Sequence, residues 1–120
     1  MAADIEGMFH QVLVDPKDCD TLSFLWWPKE DLTMEIEENR MVKHLFAAAS
    51  SPSVAKFCPR KTSQIHREAL DAEVVVTVKR NMYVDVLMKS TSTTEKAVDL
   101  ANKLRRLLEK GGFRLTKCTV

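Results

Sequence analysis

The fold is decided by the stretch Ser92–Cys118, which reads STTEKAVDLANKLRRLLEKGGFRLTKC. Its apolar residues recur every three or four positions, which is the spacing of a helix that buries one face. These residues are Ala97, Leu100, Ala101, Leu104, Leu107 and Leu108. Ser92–Glu95 resembles a capping box, and Gly111-Gly112 is a typical helix end. The stretch therefore predicts a helix from residue 93 or 94 to residue 110, followed by an alternating strand over Phe113–Cys118.

Upstream of this helix, short apolar runs alternate with turn signals. Asp15-Pro16 fits an N-cap followed by proline at the first helical position. The apolar runs Leu22–Trp27 and Leu32–Ile36 flank Pro28–Asp31, which predicts a hairpin with a four-residue loop. Trp26-Trp27 lies in the first run, and we expect one of its two rings to face the core because successive side chains of a strand point to opposite faces.

A second helix is predicted from Ser51-Pro52 to about Arg67. Its buried side is predicted to carry Val54, Phe57, Cys58, Lys61 and Ile65. Lys56, Arg60 and Arg67 fall within roughly 40° of one another at 100° per residue and form a basic stripe. The stripe is either a contact to a nucleic-acid backbone, where each neutralised phosphate adds affinity, or an ordinary solvated helix face.

The valine-rich run Glu73–Val78 suits either a strand or a buried helix, because periodicity does not separate the two over so short a run. Met82–Met88 predicts two strands around a tight turn at Asp85-Val86. Together, these elements predict an α+β fold in which two helices pack on one face of an antiparallel sheet, in the split βαβ or ferredoxin-like style.

Length and composition indicate a single globular domain. The chain has 120 residues, of which 45% are hydrophobic and 29% charged. A formal net charge of +1 gives no overall attraction for nucleic acid, so any such contact must be local. Cys19, Cys58 and Cys118 lack metal-ligand spacing, which favours reduced thiols. Since no signal peptide or membrane-length apolar run is present, we expect an intracellular protein, cytoplasmic or nuclear, without a membrane partner.

Two acidic residues point to metal chemistry. Asp4 ends a short apolar strand, and Asp85 lies between two others, so the predicted sheet brings them close together. Nucleotidyl transfer with two divalent cations requires a cluster of carboxylates that holds the ions roughly 3.5–4 Å apart. Mg²⁺ prefers carboxylates completed by waters and phosphates. The turn supplies one acid only, because Val86 follows Asp85.

Four blocks of sequence, in this order, carry a resemblance to a known family. They are Asp4–Val12, Leu45–Pro52, Tyr83–Val86 and Leu107–Lys117. They resemble the motifs of the palm core of a reverse transcriptase from Bel-Pao-type LTR retrotransposons. The similarity runs from Asp4 to about Cys118. It implies that residues 1–120 are a partial palm domain without fingers, thumb or ribonuclease H, which is either a fragment of a longer polyprotein or a truncated gene product.

The resemblance also implies the roles of individual residues. The implied catalytic residues are Asp4, Asp85 and Lys117. Asp4 and Asp85 bind Mg²⁺ or Mn²⁺ in this interpretation, and Lys117 assists the departure of pyrophosphate. The implied nucleotide-binding residues are Phe9, Gln11, Phe46 and Ala47. The ring of Phe9 would lie beneath the deoxyribose and exclude a 2′-hydroxyl, so that deoxynucleotides are selected.

Two departures from the family pattern argue against full activity. Val86 stands where the family has a second acid, and Ala47 stands where it has glycine. If the missing charge raises the barrier by ~4 kcal/mol, the rate falls about a thousandfold. We therefore expect an inactive or very weak RNA-directed DNA polymerase fragment, whose partners would be a primer–template, deoxynucleotides and the rest of the polyprotein. The alternative is a non-catalytic retroelement-derived module that binds nucleic acid or another partner through the basic stripe.

Overall fold

The computed structural model describes residues 1–46 and 48–120. In chain order, its helices and strands are β1 (Ala2–Ile5), β2 (Ser23–Trp26), β3 (Glu37–Arg40), α1 (Ser51–Ile65), α2 (Ala72–Arg80), β4 (Met82–Tyr83), β5 (Val86–Met88), α3 (Thr94–Lys110) and β6 (Leu115–Thr119). Four strands form an antiparallel sheet in the order β4-β5-β1-β6, and β2 pairs with β3 in a separate antiparallel ribbon. The predicted α+β class is confirmed, and the run Glu73–Val78 belongs to a further helix, α2.

The core lies between α3 and one face of the four-stranded sheet. All six apolar residues of the predicted α3 stripe are buried, as expected from their spacing. Ala3 and Ile5 of β1 are buried in the same core as Leu87 of β5 and Leu115 of β6. Because side chains alternate along a strand, Ala2 and Asp4 lie on the opposite, open face of the sheet. Within the described residues, no helix is both long and apolar enough to cross a membrane.

The caps of α3 explain where this helix begins and ends. Thr93 is the N-cap of α3, and its side chain accepts a hydrogen bond of 3.3 Å from the backbone amide of Lys96. The predicted capping box started one residue too early, and Ser92 instead accepts a hydrogen bond from the Lys96 ammonium. At the other end the helix stops at Lys110 as predicted, because Gly112 adopts φ 79°, a conformation that residues with a Cβ rarely tolerate.

The face that α1 buries is not the predicted one. Phe57 and Ile65 are 63% and 64% exposed. The buried residues of α1 are instead small: Ser51, Ala55, Pro59, Thr62 and Ser63. The hydroxyl groups of Thr62 and Ser63 are satisfied in this interface because they donate to carbonyl oxygens of the same helix, as Thr62 does to Cys58 at 3.0 Å. A search for apolar periodicity passes over such residues, and this is why the prediction failed.

Gly111 provides the closest approach between the end of α3 and α1. A Cβ atom at this position would collide with the side chain of Thr62, a residue that is itself buried. We expect Gly111→Ala to lower the free energy of unfolding by about 1–3 kcal/mol, because well-packed sites accept added atoms poorly. Urea denaturation measures the change. In a Thr62→Ala background the same substitution should cost at least about 1 kcal/mol less, since the collision is removed. Equal costs in the two backgrounds would refute this account.

The pairing of β2 with β3 confirms the predicted hairpin, but the second strand was predicted at the wrong residues. Ser23 pairs with Arg40 and Trp26 with Glu37, whereas Leu32–Ile36 lies in the connection between the strands. The reason is a turn at Asp31, whose carboxylate accepts hydrogen bonds from the backbone amide and the hydroxyl of Thr33. These bonds also hold the pKa of Asp31 below its usual value. Trp26 is 50% exposed at the end of β2 and Trp27 is half-buried just after it, so neither tryptophan is fully buried in a core.

The helical start at Asp15-Pro16 is also confirmed. Asp15 accepts a hydrogen bond of 3.1 Å from the backbone amide of Lys17, and a 3₁₀ helix follows over Pro16–Leu22. This helix leads directly into β2 and so joins the ribbon to the rest of the chain.

Candidate active site

Asp4 belongs to β1, one of the two central strands, and its side chain lies on the open face of the sheet. Its cross-strand partners are Val86 of β5 and Thr116 of β6. Residues directly opposite one another in an antiparallel sheet share a face, so these two side chains flank the Asp4 carboxylate. The Asp4 side chain is 27% exposed and is therefore accessible to a solute from the open face.

Lys117 forms an ion pair with Asp4. Its Nζ atom lies 3.3 Å from Asp4 Oδ2, and the lysine side chain is largely exposed. The pairing of β1 with β6 shifts register between Ala2 and Asp4, and Lys117 adopts φ 49° at this irregularity. Such bulges redirect a side chain, and here the register shift accompanies a lysine that reaches the open face. Two of the three predicted catalytic residues are thus in direct contact.

Asp85 is held beside the same strand by a main-chain contact. Its carbonyl oxygen accepts a hydrogen bond of 2.8 Å from the backbone amide of Ile5, the residue after Asp4. Tyr83 pairs with Val86, which makes Val84-Asp85 the turn of the hairpin and corrects the predicted turn at Asp85-Val86. Val84 has φ 55°, a left-handed conformation that is unfavourable for a β-branched residue.

The position opposite Asp4 is therefore occupied by an apolar residue. Val86 begins β5 and is half-buried, so its methyl groups stand where a second carboxylate would adjoin Asp4. Over residues 1–46 and 48–120, no three His, Cys, Asp or Glu side chains form a group suited to a metal ion. A single hard cation completed by waters and phosphates needs fewer protein carboxylates than a two-ion site does.

The aromatic residues predicted to line a nucleotide pocket lie together. Phe9 and Phe46 make an edge-to-face contact, with ring centroids 5.6 Å apart and an interplanar angle of 73°. Phe9 lies in the 3₁₀ turn Met8–Gln11 and packs partly against the core, while Phe46 is 76% exposed. Gln11 is exposed at the end of that turn. Ala47, the fourth predicted residue, lies outside the described residues.

The segment that carries Phe46 is tied to the start of α1. The buried hydroxyl of Ser51 donates a hydrogen bond to the carbonyl oxygen of Leu45. The predicted helix start at Ser51-Pro52 is confirmed, with proline in the first turn. This contact fixes the end of the segment relative to the helix and so limits where the Phe46 ring can lie.

The predicted basic stripe does not form a single row of free cations. Lys56 Nζ lies 5.9 Å from the centroid of the Tyr83 ring, a cation–π distance. Arg60 donates a hydrogen bond of 2.8 Å to the carbonyl oxygen of Lys79, near the end of α2. Arg67 lies beyond α1, in the short 3₁₀ turn Arg67–Ala69. Two of the three side chains therefore already have partners within the chain.

Sequence reasoning missed the parts played by Tyr83 and Thr116. Tyr83 is exposed beside the Asp85 turn and links that turn to α1 through Lys56. Thr116 stands opposite Asp4, and its hydroxyl donates a hydrogen bond of 3.3 Å to the Asp4 carbonyl oxygen. Strand register was the signal that would have found them, because both residues share the open face with Asp4.

Comparison with known proteins identifies no family for this chain. No protein-family model matches the chain, and no curated protein is significantly similar to it.

Proposed function

We propose that the chain is the palm core of a retroelement RNA-directed DNA polymerase, in which the site for nucleotidyl transfer is retained in weakened form. The observation that supports this most is the contact of Lys117 with Asp4 on a strand that also binds the backbone of Asp85. Three residues distant in sequence, predicted to serve the same reaction, thus lie at the same end of the sheet. Primer–template, deoxynucleotides and the remaining polyprotein domains would be its partners, in an intracellular setting.

In this proposal, each residue has a distinct task. Asp4 and Asp85 would hold one Mg²⁺ or Mn²⁺ ion, which when bound supplies charge neutralisation for the phosphates of a nucleotide. Lys117 would release Asp4 and neutralise or protonate the departing pyrophosphate. Phe9, supported by Phe46, would form the platform under the sugar. Gln11 and Ala47 remain proposed pocket residues on the strength of the resemblance.

The backbone conformation of the site is consistent with a functional role. Val84 and Lys117 both have positive φ, at 55° and 49°, although neither is a glycine. A left-handed conformation costs a non-glycine residue roughly 1–2 kcal/mol. Strain of this kind concentrates at functional sites, where it positions particular groups. Of the four described non-glycine residues with positive φ, Val84 and Lys117 lie beside Asp85 and Asp4, and the other two, Lys29 and Glu30, lie in the connection between β2 and β3.

The same geometry explains why we propose weak activity. Val86 offers no oxygen opposite Asp4, and the Lys117 ammonium competes with a cation for the Asp4 carboxylate. Exposed ion pairs contribute at most about 1 kcal/mol, so a divalent ion near a nucleotide phosphate can displace this lysine. A site of this kind would bind one ion weakly and lack the second ion that the full reaction uses.

Nucleotide binding by the intact chain tests the proposal. Calorimetric titration with a deoxynucleoside triphosphate should show weak binding that requires Mn²⁺ and is lost in Asp4→Asn. The ribonucleotide should bind at least about fivefold more weakly, and Phe9→Ala should remove this preference. Asp20→Asn is the matched control, since Asp20 is an exposed acid paired with Arg40 on the ribbon. Mn²⁺-independent binding, or equal losses in Asp4→Asn and Asp20→Asn, would refute the proposal.

A further inference from the structure

The tip of the ribbon is acidic and apolar at once. Residues 30–38 contain five acidic and no basic residues, and every one of the nine is exposed. The acids are Glu30, Asp31, Glu35, Glu37 and Glu38. Three large apolar side chains, Leu32, Met34 and Ile36, are exposed among them. Such a concentration of exposed apolar side chains marks an interaction surface rather than an ordinary solvated loop. We call residues 30–38 the acidic tip.

The outer face of α1, together with the turn that follows it, has the opposite charge and similar apolar content, although Glu68 adds one acid at its end. Residues 51–67 contain four basic and no acidic residues: Lys56, Arg60, Lys61 and Arg67. Phe57 and Ile65 stand exposed among these cations. Two shallow clefts of about 450 and 370 Å³ run along this surface and share Lys61 and Gln64 in their linings. We call this surface the basic face.

We propose that the acidic tip of one copy of the chain docks on the basic face of a second copy. The two surfaces complement each other in charge, which steers association and disfavours wrong partners. Each also exposes apolar side chains whose burial would supply most of the affinity, at roughly 25 cal/mol per Å² removed from water. The surface fits a protein partner better than a nucleic acid, because Phe57 and Ile65 lie among its cations and Arg60 already binds the Lys79 carbonyl.

The association joins two different surfaces, so it is head-to-tail. A symmetric pair would require the same patch on both copies, whereas a head-to-tail pair leaves one tip and one face unused. Association therefore continues into short chains or a ring as the concentration rises. This property goes beyond the proposed function, since neither surface contains Asp4, Asp85 or Lys117.

Sedimentation equilibrium of the full chain tests the inference. The wild type should show a mass that rises with concentration and falls with added salt, which screens exposed charges. A tip variant, Glu35→Lys with Glu37→Lys, and a face variant, Lys61→Glu with Arg67→Glu, should each associate at least tenfold more weakly. Glu109→Lys, a reversal at an exposed site at the end of α3, should behave as the wild type. Asp4→Asn should also associate normally, which separates this test from that of the proposed function.

Mixing the two variants gives the sharpest result. The tip variant retains an intact basic face, and the face variant retains an intact acidic tip. An equimolar mixture should therefore associate, although each variant alone is monomeric. A monomeric wild type, association that survives in both variants, or a mixture that stays monomeric would overturn the inference. Binding of a short single-stranded RNA to the basic face without any self-association would overturn it as well.

Discussion

Val86→Asp is expected to increase primer extension about a thousandfold when the core is placed in a polymerase that supplies fingers and thumb, if the missing charge accounts for ~4 kcal/mol of the barrier. Val86 pairs directly with Asp4 across β1 and β5, and paired residues share the open face of the sheet. A carboxylate at this position would adjoin Asp4 and supply the third acidic group that a two-ion site requires. The measurement is the single-turnover rate of nucleotide incorporation in saturating Mg²⁺.

Val86→Asn is the matched control for this experiment. Asparagine has nearly the same shape as aspartate but carries no charge, so it should leave the rate within a few-fold of the valine protein. Tyr83 and the strained Val84 are unchanged in both variants, which keeps the hairpin itself constant. A complete polymerase that stays inactive with Val86→Asp, although its fold is intact, would contradict the missing-carboxylate explanation.

Leu104→Ala is expected to lower the free energy of unfolding by about 2–5 kcal/mol. Leu104 is fully buried in the middle of α3 and belongs to the core shared with Ile5 and Leu87. Its truncation removes contacts on the sheet side and leaves a cavity that the surrounding strands fill only partly. Domains of this size are typically stable by only about 5–15 kcal/mol, so the loss is a large fraction of the total. Urea denaturation followed by circular dichroism measures it.

Val98→Ala provides the comparison within the same helix. Val98 is 46% exposed on the outer side of α3, and its truncation should change stability by less than about 0.5 kcal/mol. A cost for Leu104→Ala that is no larger than that for Val98→Ala would mean that α3 does not pack on the sheet as described.

The parts of the fold that could be predicted are those in which the local signals agree. In α3, apolar spacing and the closing glycines agree, and the buried stripe follows directly. In α1, the polarity of the side chains does not match their burial, because the buried Thr62 and Ser63 are polar and the exposed Phe57 is apolar. Helix packing through small hydroxyl-bearing residues depends on the partner helices, which local sequence does not specify.

Strand pairing was predicted less well than helices for a related reason. The alternation in Leu32–Ile36 is real, yet the turn held by Asp31 and Thr33 delays pairing until Glu37. A change of a few residues in a turn decides which segment pairs, and apolar alternation alone does not report it. For the same reason, the turn between β4 and β5 was predicted one residue too late, at Asp85-Val86, whereas the structure has it at Val84-Asp85.

The candidate site, too, was predicted only in part. The nearness of Asp4 to the Asp85 turn follows from the order of strands and was expected. The ion pair of Lys117 with Asp4 depends on a register shift between β1 and β6 that leaves no local signature in the sequence. The contact between Phe9 and Phe46 joins two blocks that sequence alone assigned to one pocket without indicating that they touch.

We propose that the carboxylates of Asp4 and Asp85 together hold a divalent cation, and Mn²⁺ binding to the intact chain is the decisive experiment. Electron paramagnetic resonance counts free Mn²⁺ in a titration without requiring catalysis. We predict one weak site per chain, lost in both Asp4→Asn and Asp85→Asn, retained in Asp20→Asn and strengthened by Val86→Asp. Binding that is absent from the wild type, or that is unchanged by Asp4→Asn and Asp85→Asn, would contradict the claim.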